Sequence, residues 1–244
     1  MMDLESLFRS RPEEWNGLRV WPVLMKDYPL FLAAKDCIIS AQQSWPYPWS
    51  TVKYLEGLAG MGMLPRLAAM LQMALRLDGP DLPIYPKMKG DRLDALLVVQ
   101  GKSKTEITPK NFWGLRELIA RQNGLELPDE ADNAELLEAQ RDLRMAANVQ
   151  LKANLEDLIY SVAVKLGASP EELLSWTVRR FQATERALDR SVGHLIASIT
   201  LAAGGKFKGG DPYPSWKYDR GDHVTAIEPL SALSGRLSGS VEEK

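Results

Sequence analysis

The residue types that could carry catalysis are few in this sequence, and their spacing does not form a known motif. Gly101-Lys102-Ser103 repeats the end of a phosphate-binding loop, but that loop needs a glycine five residues earlier, where the chain has Leu96. The N–H cradle for a phosphate therefore cannot form. Cys37 is the one cysteine, which excludes an internal disulfide and a Cys-based zinc site. Because apolar residues surround it on a predicted helix, we expect a buried, unreactive thiol.

The two histidines give no better prospect of an active site. His194 falls on the apolar side of a predicted long helix, and His223 lies in a loop that contains glycine and aspartate. Neither has a second histidine at metal-ligand spacing, and the sequence contains no nucleophile elbow and no zinc-protease motif. We therefore predict a protein that is not an enzyme, with no catalytic residues, no cofactor and no metal.

Composition also argues against nucleic acid and membranes as partners. The 244 residues are 45% apolar and 25% charged, which is typical of a globular protein with a sizeable core. Lys and Arg number 30 against 32 Asp and Glu, so the net charge of −2 provides no overall basic field for nucleic acid or a membrane. No leader with a basic and then an apolar segment is visible, and Pro65 and Arg66 interrupt the longest apolar stretch. We expect a soluble protein of the cytoplasm.

The hydrophobic periodicity predicts a mainly α fold: a multi-helix domain with a small N-terminal antiparallel β element, so that only the N-terminal half is α+β. One strand is predicted over 18–25, and a hairpin over 96–107 turns at Gly101-Lys102-Ser103. Helices are predicted to begin at four capping sites and at one restart of the helical pattern. These starts are Asp27, Ser50 or Thr51, Thr108-Pro109, Ser169-Pro170 and Thr177.

Three segments follow from this pattern. Residues 1–107 form an N-terminal part with the β element and several helices, and 108–205 form a helical part packed with it as one unit. Residues 206–244 are rich in Gly, Pro and Ser, and we expect an extended tail with a disordered end. The 129–157 stretch carries a net charge of −5 and 179–220 one of +4, typical of solvated helix faces or of self-association.

Two clusters of aromatic residues and prolines are the strongest binding signal. Proline restricts the backbone, so that the aromatic rings are presented to a partner at low entropic cost. The opposite interpretation, in which the tail folds back and buries its rings in its own helices, is equally compatible with the sequence. The interleaved lysines make stacking on single-stranded nucleic acid a weaker alternative. The predicted contact residues are Phe207, Tyr213, Trp216 and Tyr218 in the tail, followed by Trp45 and Trp49.

Several short runs occur in an order that resembles a family of tail-region proteins. The runs are Ile107-Thr108-Pro109-Lys110-Asn111-Phe112, Leu115-Arg116-Glu117-Leu118-Ile119, Gln122-Asn123-Gly124, Asn133-Ala134-Glu135-Leu136, Asp157-Leu158-Ile159-Tyr160-Ser161-Val162-Ala163, Trp176-Thr177-Val178-Arg179-Arg180-Phe181 and the tail from Lys206-Phe207-Lys208-Gly209-Gly210 to Trp216. The family consists of tail assembly chaperones of phages and prophages of Gram-positive (Firmicutes) bacteria, of siphophage or myophage type. The resemblance covers residues 18–220 in order and is densest after 105.

The resemblance implies a mainly helical, non-enzymatic viral protein of the host cytoplasm. Its partners would be the tape-measure protein, which such chaperones coat, and the tail-tube subunits, which they recruit before leaving. A structural tail or baseplate component that stays in the particle would have the same fold. A lower alternative, from another class, is a nucleic-acid-binding regulator that uses the arginines of the long helix: Arg179, Arg180, Arg186 and Arg190.

Overall fold

The structure is a computed structural model that describes residues 10–77, 83–90, 92–128 and 154–203. The chain divides into two compact units, Met1–Ala183 and Thr184–Lys244. The described residues are 55% helical and 17% strand, with two antiparallel sheets. The prediction of a mainly α fold is therefore wrong, and the fold is α+β.

The first sheet is a two-stranded hairpin of β1 (Glu13–Trp15) and β2 (Leu18–Val20). The strands are joined by Asn16 and Gly17, which both have positive φ angles, of 48° and 82°. An Asn-Gly pair is the preferred sequence for such a tight turn, because both of its residues tolerate the left-handed region. The predicted strand over 18–25 forms only as far as Val20.

The second sheet has three antiparallel strands in the order β3 (Ile84–Lys89), β4 (Arg92–Gln100) and β5 (Ser103–Ile107). The β4–β5 hairpin confirms the predicted turn, with Gln100 paired to Ser103 and Leu96 paired to Ile107. Apolar residues of the central strand β4 face the core. Leu93, Ala95, Leu96 and Val98 are all buried.

Strand β3 is the main element that the sequence did not predict, and its composition explains why. Tyr85 and Met88 are exposed, and Pro86, Lys87 and Lys89 are typical of loops rather than of buried strands. At the edge of a sheet these residues are favourable, because a proline needs no ladder partner there and lysines discourage pairing with other chains. A segment with these residues can therefore form the third strand, because it lies at the edge of the sheet.

Three of the five predicted helix starts, at Asp27, Ser169-Pro170 and Thr177, directly precede a helix. The start predicted at Ser50 or Thr51 is early, because Lys53 is the N-cap of that helix. Ser169 accepts a hydrogen bond from the Glu172 N–H at 3.1 Å, which confirms the start predicted at Ser169-Pro170. The start predicted at Thr108-Pro109 is three residues early, because Asn111 is the N-cap. The helices are α1 (Tyr28–Ala34), α2 (Asp36–Ile39), α3 (Tyr54–Gly60), α4 (Leu64–Leu75), α5 (Phe112–Asn123), α6 (Leu155–Leu166), α7 (Pro170–Leu174) and α8 (Val178–Ala202).

Within the first unit, the C-terminal end of α5 holds the segment that follows β2. The Asn123 side chain accepts a hydrogen bond from the Val23 N–H at 2.8 Å, and Gln122 donates to the Val20 carbonyl at 3.0 Å. The Val23 carbonyl in turn accepts from the Val178 N–H at 2.9 Å. Gly124 ends the helix with a left-handed φ of 66°. The Gln122-Asn123-Gly124 run therefore has a structural role as a backbone clamp.

Candidate interaction surface

In the first predicted contact cluster the two tryptophans, Trp45 and Trp49, are covered to different degrees, whereas the residues between them are exposed. The Trp45 side chain is 8% exposed and its ring lies 4.6 Å from that of Tyr54, measured between centroids. Trp49 is half-buried. Between them Tyr47, which the sequence analysis did not single out, is 84% exposed. The two tryptophans therefore anchor the turn, and the tyrosine is the aromatic ring that it presents.

The turn itself is held by local hydrogen bonds. The Trp49 N–H donates to the Pro46 carbonyl at 2.9 Å, and the Thr51 N–H donates to the Pro48 carbonyl at 3.0 Å. Gln42 donates its side-chain amide to the Trp49 carbonyl at 3.3 Å. The backbone of the turn is thus restricted before any partner binds. The tail residues Phe207, Tyr213, Trp216 and Tyr218 lie outside the described residues.

Helix α8 carries the largest exposed apolar surface in the described part of the second unit. Leu195, Ile196 and Ile199 are 58%, 59% and 60% exposed, and Val192 is 37% exposed. Their spacing of three and four residues places them on one face of the helix. We call Val192, Leu195, Ile196 and Ile199 the α8 stripe. An apolar face of this extent is typical of a protein interaction site.

The surroundings of the α8 stripe are uncharged. The thirteen residues from Ser191 to Ala203 contain no aspartate, glutamate, lysine or arginine. The nearest carboxylates along the helix are Asp189 and Glu185; partial burial and the Asp189 charge raise the pKa of Glu185. The stripe therefore favours an apolar partner and provides no ion pair of its own.

The sequence predicted this helix but not the exposure of its apolar residues. Leu188, Leu195 and Ile199 belong to the apolar pattern of the predicted long helix, but apolar spacing alone does not separate a core face from a binding face. The signal that could have separated them is the uncharged run after Arg190. In a helix covered on only one side, the opposite face usually carries charged residues.

A second apolar surface lies in the first unit, between α6 and α7. It is an open groove of about 420 Å³, with Ile159, Tyr160 and Leu174 among its apolar walls. Glu156 and Glu171 border it, and both lie in the first turn of a helix, where the helix dipole favours carboxylates. The described residues that line the groove include no histidine, cysteine, serine or lysine.

The remaining titratable groups do not assemble into a reactive centre in the described ranges. Cys37 is fully buried, and burial, with the nearby Asp36 charge, raises its pKa to about 12. No group of three or more His, Cys, Asp or Glu residues there could hold a metal ion. None of the helices in those same ranges is both long enough and apolar enough to cross a membrane. His194 is partly exposed on α8, and His223 lies outside these ranges.

Nothing matches this chain among protein-family models, curated proteins or solved structures. A function must therefore be argued from the residues of the chain itself. Among the described surfaces, the α8 stripe has the largest group of exposed apolar side chains on one helix face.

Proposed function

We propose that this protein is a non-enzymatic tail assembly chaperone or adaptor that acts by protein contact in the host cytoplasm. Its partners in this proposal are the tape-measure protein and the tail-tube subunits. Two observations support the proposal: the ordered runs that resemble the phage family, and the exposed α8 stripe. The exposure of the α8 stripe is the main structural support for the proposed function.

In this proposal, apolar helix faces of the tape-measure protein and of this chain meet before tail assembly is complete. A tape-measure helix exposes apolar side chains until the tube surrounds it, and an apolar stripe on another helix can cover them. Transfer of Leu195, Ile196 and Ile199 from water into such a contact is favourable by about 25 cal/mol for each Å² buried. Because the stripe has no charged residues, the contact can form and dissociate without breaking an ion pair.

The test is capture of tail proteins from an induced culture that carries the tagged full-length chain. We expect the tape-measure protein to be captured with the wild-type chain, and at least about tenfold less with the Leu195→Ser, Ile199→Ser double variant. Val164→Ser is the matched control, because Val164 is 79% exposed and belongs to a different helix, α6. The proposal would be contradicted if the wild type and the double variant captured equal amounts of tape-measure protein. It would also be contradicted if the wild-type chain captured no tail protein.

A further inference from the structure

The apolar residues of α8 follow the spacing of a coiled coil. From Leu188 the steps along the chain are four, three, four and three residues, to Val192, Leu195, Ile199 and Ala202. This is the alternation of a and d positions in a heptad, with Val192 and Ile199 at a and the other three at d. The face is thus shaped for another helix that runs alongside it, rather than for a globular surface.

The residue types at these positions indicate the number and direction of the helices. A β-branched residue at a combined with leucine at d favours two parallel strands. Val192 and Ile199 are β-branched and occupy a, whereas Leu188 and Leu195 occupy d. Glu185 occupies the preceding a position, so the apolar seam begins at Leu188 and is about 21 Å long at 1.5 Å per residue.

A second copy of the same helix is compatible with this seam in charge as well as in shape. In a parallel pair the residues at e and g approach each other, and like charges there would repel. At these positions the seam carries Asp189, Ser191, Ile196 and Ser198, of which only Asp189 is charged. In a parallel pair Asp189 at e approaches Thr184 at g of the other helix and not a second carboxylate. Two identical seams therefore meet without direct like-charge pairs at e and g, and Ile196 extends the buried apolar area on each side.

We propose that two copies of this chain associate through the Leu188–Ala202 seam of α8 as a parallel two-stranded coiled coil. Stable interfaces bury about 1,200–2,000 Å² in total, whereas this seam is only two heptads long. The dimer is therefore weak and reversible. By mass action, the dimer forms and covers the α8 stripe when the chain is concentrated. A tail protein that binds the stripe more tightly then displaces the second copy.

The first test is sedimentation velocity of the full-length chain between about 1 and 500 µM, a range that spans a micromolar dissociation constant. We expect the dimer fraction to rise with concentration, and the Leu195→Ser, Ile199→Ser variant to weaken association at least about tenfold. Val164→Ser should associate as the wild type does. A monomer at every concentration overturns the proposal, because the stripe is then covered within one chain or left open. Association that the double variant does not weaken overturns it as well.

The second test fixes the direction of the helices and keeps the seam apolar. A cysteine introduced as Ala202→Cys meets its equivalent in a parallel dimer, whereas an antiparallel pair centred on the seam separates the two by about 21 Å. We expect an interchain disulfide under mild oxidation for Ala202→Cys and none for Thr200→Cys, which lies off the seam. The native Cys37 is fully buried and does not compete. No disulfide from Ala202→Cys overturns the parallel arrangement.

Dimerisation concerns the same stripe as the proposed function, but its tests use the purified chain alone. Capture of tape-measure protein can therefore succeed where dimerisation fails, and dimerisation can be observed where capture fails. The two proposals are separated by these outcomes.

Discussion

Arg116 is a charged side chain in the core of the first unit, with no exposed surface. Its Nε donates a hydrogen bond to the Ile38 carbonyl at 2.6 Å, and its Nη2 donates to the Ser40 carbonyl at 3.1 Å. The guanidinium lies over the rings of Tyr54 at 3.9 Å and Trp113 at 4.6 Å. A planar group with several donors is needed for this combination of stacking and hydrogen bonding.

We expect Arg116→Lys to destabilise the protein although it keeps the charge. The ammonium cannot stack or reach both carbonyls, and the loss of charge-assisted hydrogen bonds costs about 2 kcal/mol. Urea denaturation followed by circular dichroism measures the change in the free energy of unfolding. Arg186→Lys, at an exposed position of α8, should change it by less than about 0.5 kcal/mol. Equal effects of the two substitutions would show that the geometry around Arg116 is unimportant.

Single residues differ in how far the sequence alone revealed their environment. The buried state of Cys37 was predicted and is confirmed, because its apolar neighbours on a helix already indicated burial. The burial of Arg116 was not predicted. In sequence it stands beside Glu117 in a run that looks like a solvated face, and its acceptors are carbonyls about 76 to 78 residues away. Such long-range acceptors leave no local signal.

At the scale of elements, helix α3 has glycines where the tryptophans of the aromatic turn approach it. A Cβ added at Gly57 would lie 2.5 Å from Cζ3 of Trp45 and 3.1 Å from the Trp49 carbonyl oxygen. The indole ring of Trp45 is buried and cannot turn away. The close approach of turn and helix therefore depends on the absence of a side chain at this position.

We expect Gly57→Ala to destabilise the protein by about 1–3 kcal/mol, because the added methyl group forces the ring or the helix to shift. Gly193→Ala in α8 is the matched control, since no heavy atom lies within 4 Å of its added Cβ. There alanine should stabilise the helix by up to about 1 kcal/mol. Thermal unfolding measures both effects. A gain in stability for both variants would mean that Trp45 does not pack on Gly57.

The elements that could be predicted are those with local chemistry at their ends. The cap at Ser169, the stop at Gly124 and the hairpin before Ser103 each depend on a few adjacent residues, and all three are present. Strand β3 depends instead on its partner β4, because an edge strand needs little apolar pattern of its own. The sequence therefore predicts no strand over Ile84–Lys89.

At the scale of the whole molecule, the sequence could not supply which aromatic and apolar faces are covered by other elements. Trp45 and Trp49 were predicted as contact residues on the strength of their prolines, and the structure places them against α3 with only Tyr47 fully displayed. The α8 stripe is the opposite case. Its apolar pattern is typical of a core face, but its residues are largely exposed. Composition and periodicity are the same for a face turned inward and one turned to a partner.

Under the proposed function, the fate of the protein after assembly follows from the strength of its contacts, and this fate separates a chaperone from a structural component. A short, uncharged stripe forms a weak interface, and a tube that closes around the tape-measure helix offers that helix a larger one. We therefore expect the chain to be displaced as the tube grows. Quantitative mass spectrometry of a lysate and of purified particles from one induced culture measures this. The chain should accompany tape-measure and tube subunits in the lysate and be strongly depleted in the particles. A fixed ratio of this chain to tube subunits in the particles would instead identify a tail or baseplate component, held by contacts stronger than the α8 stripe provides.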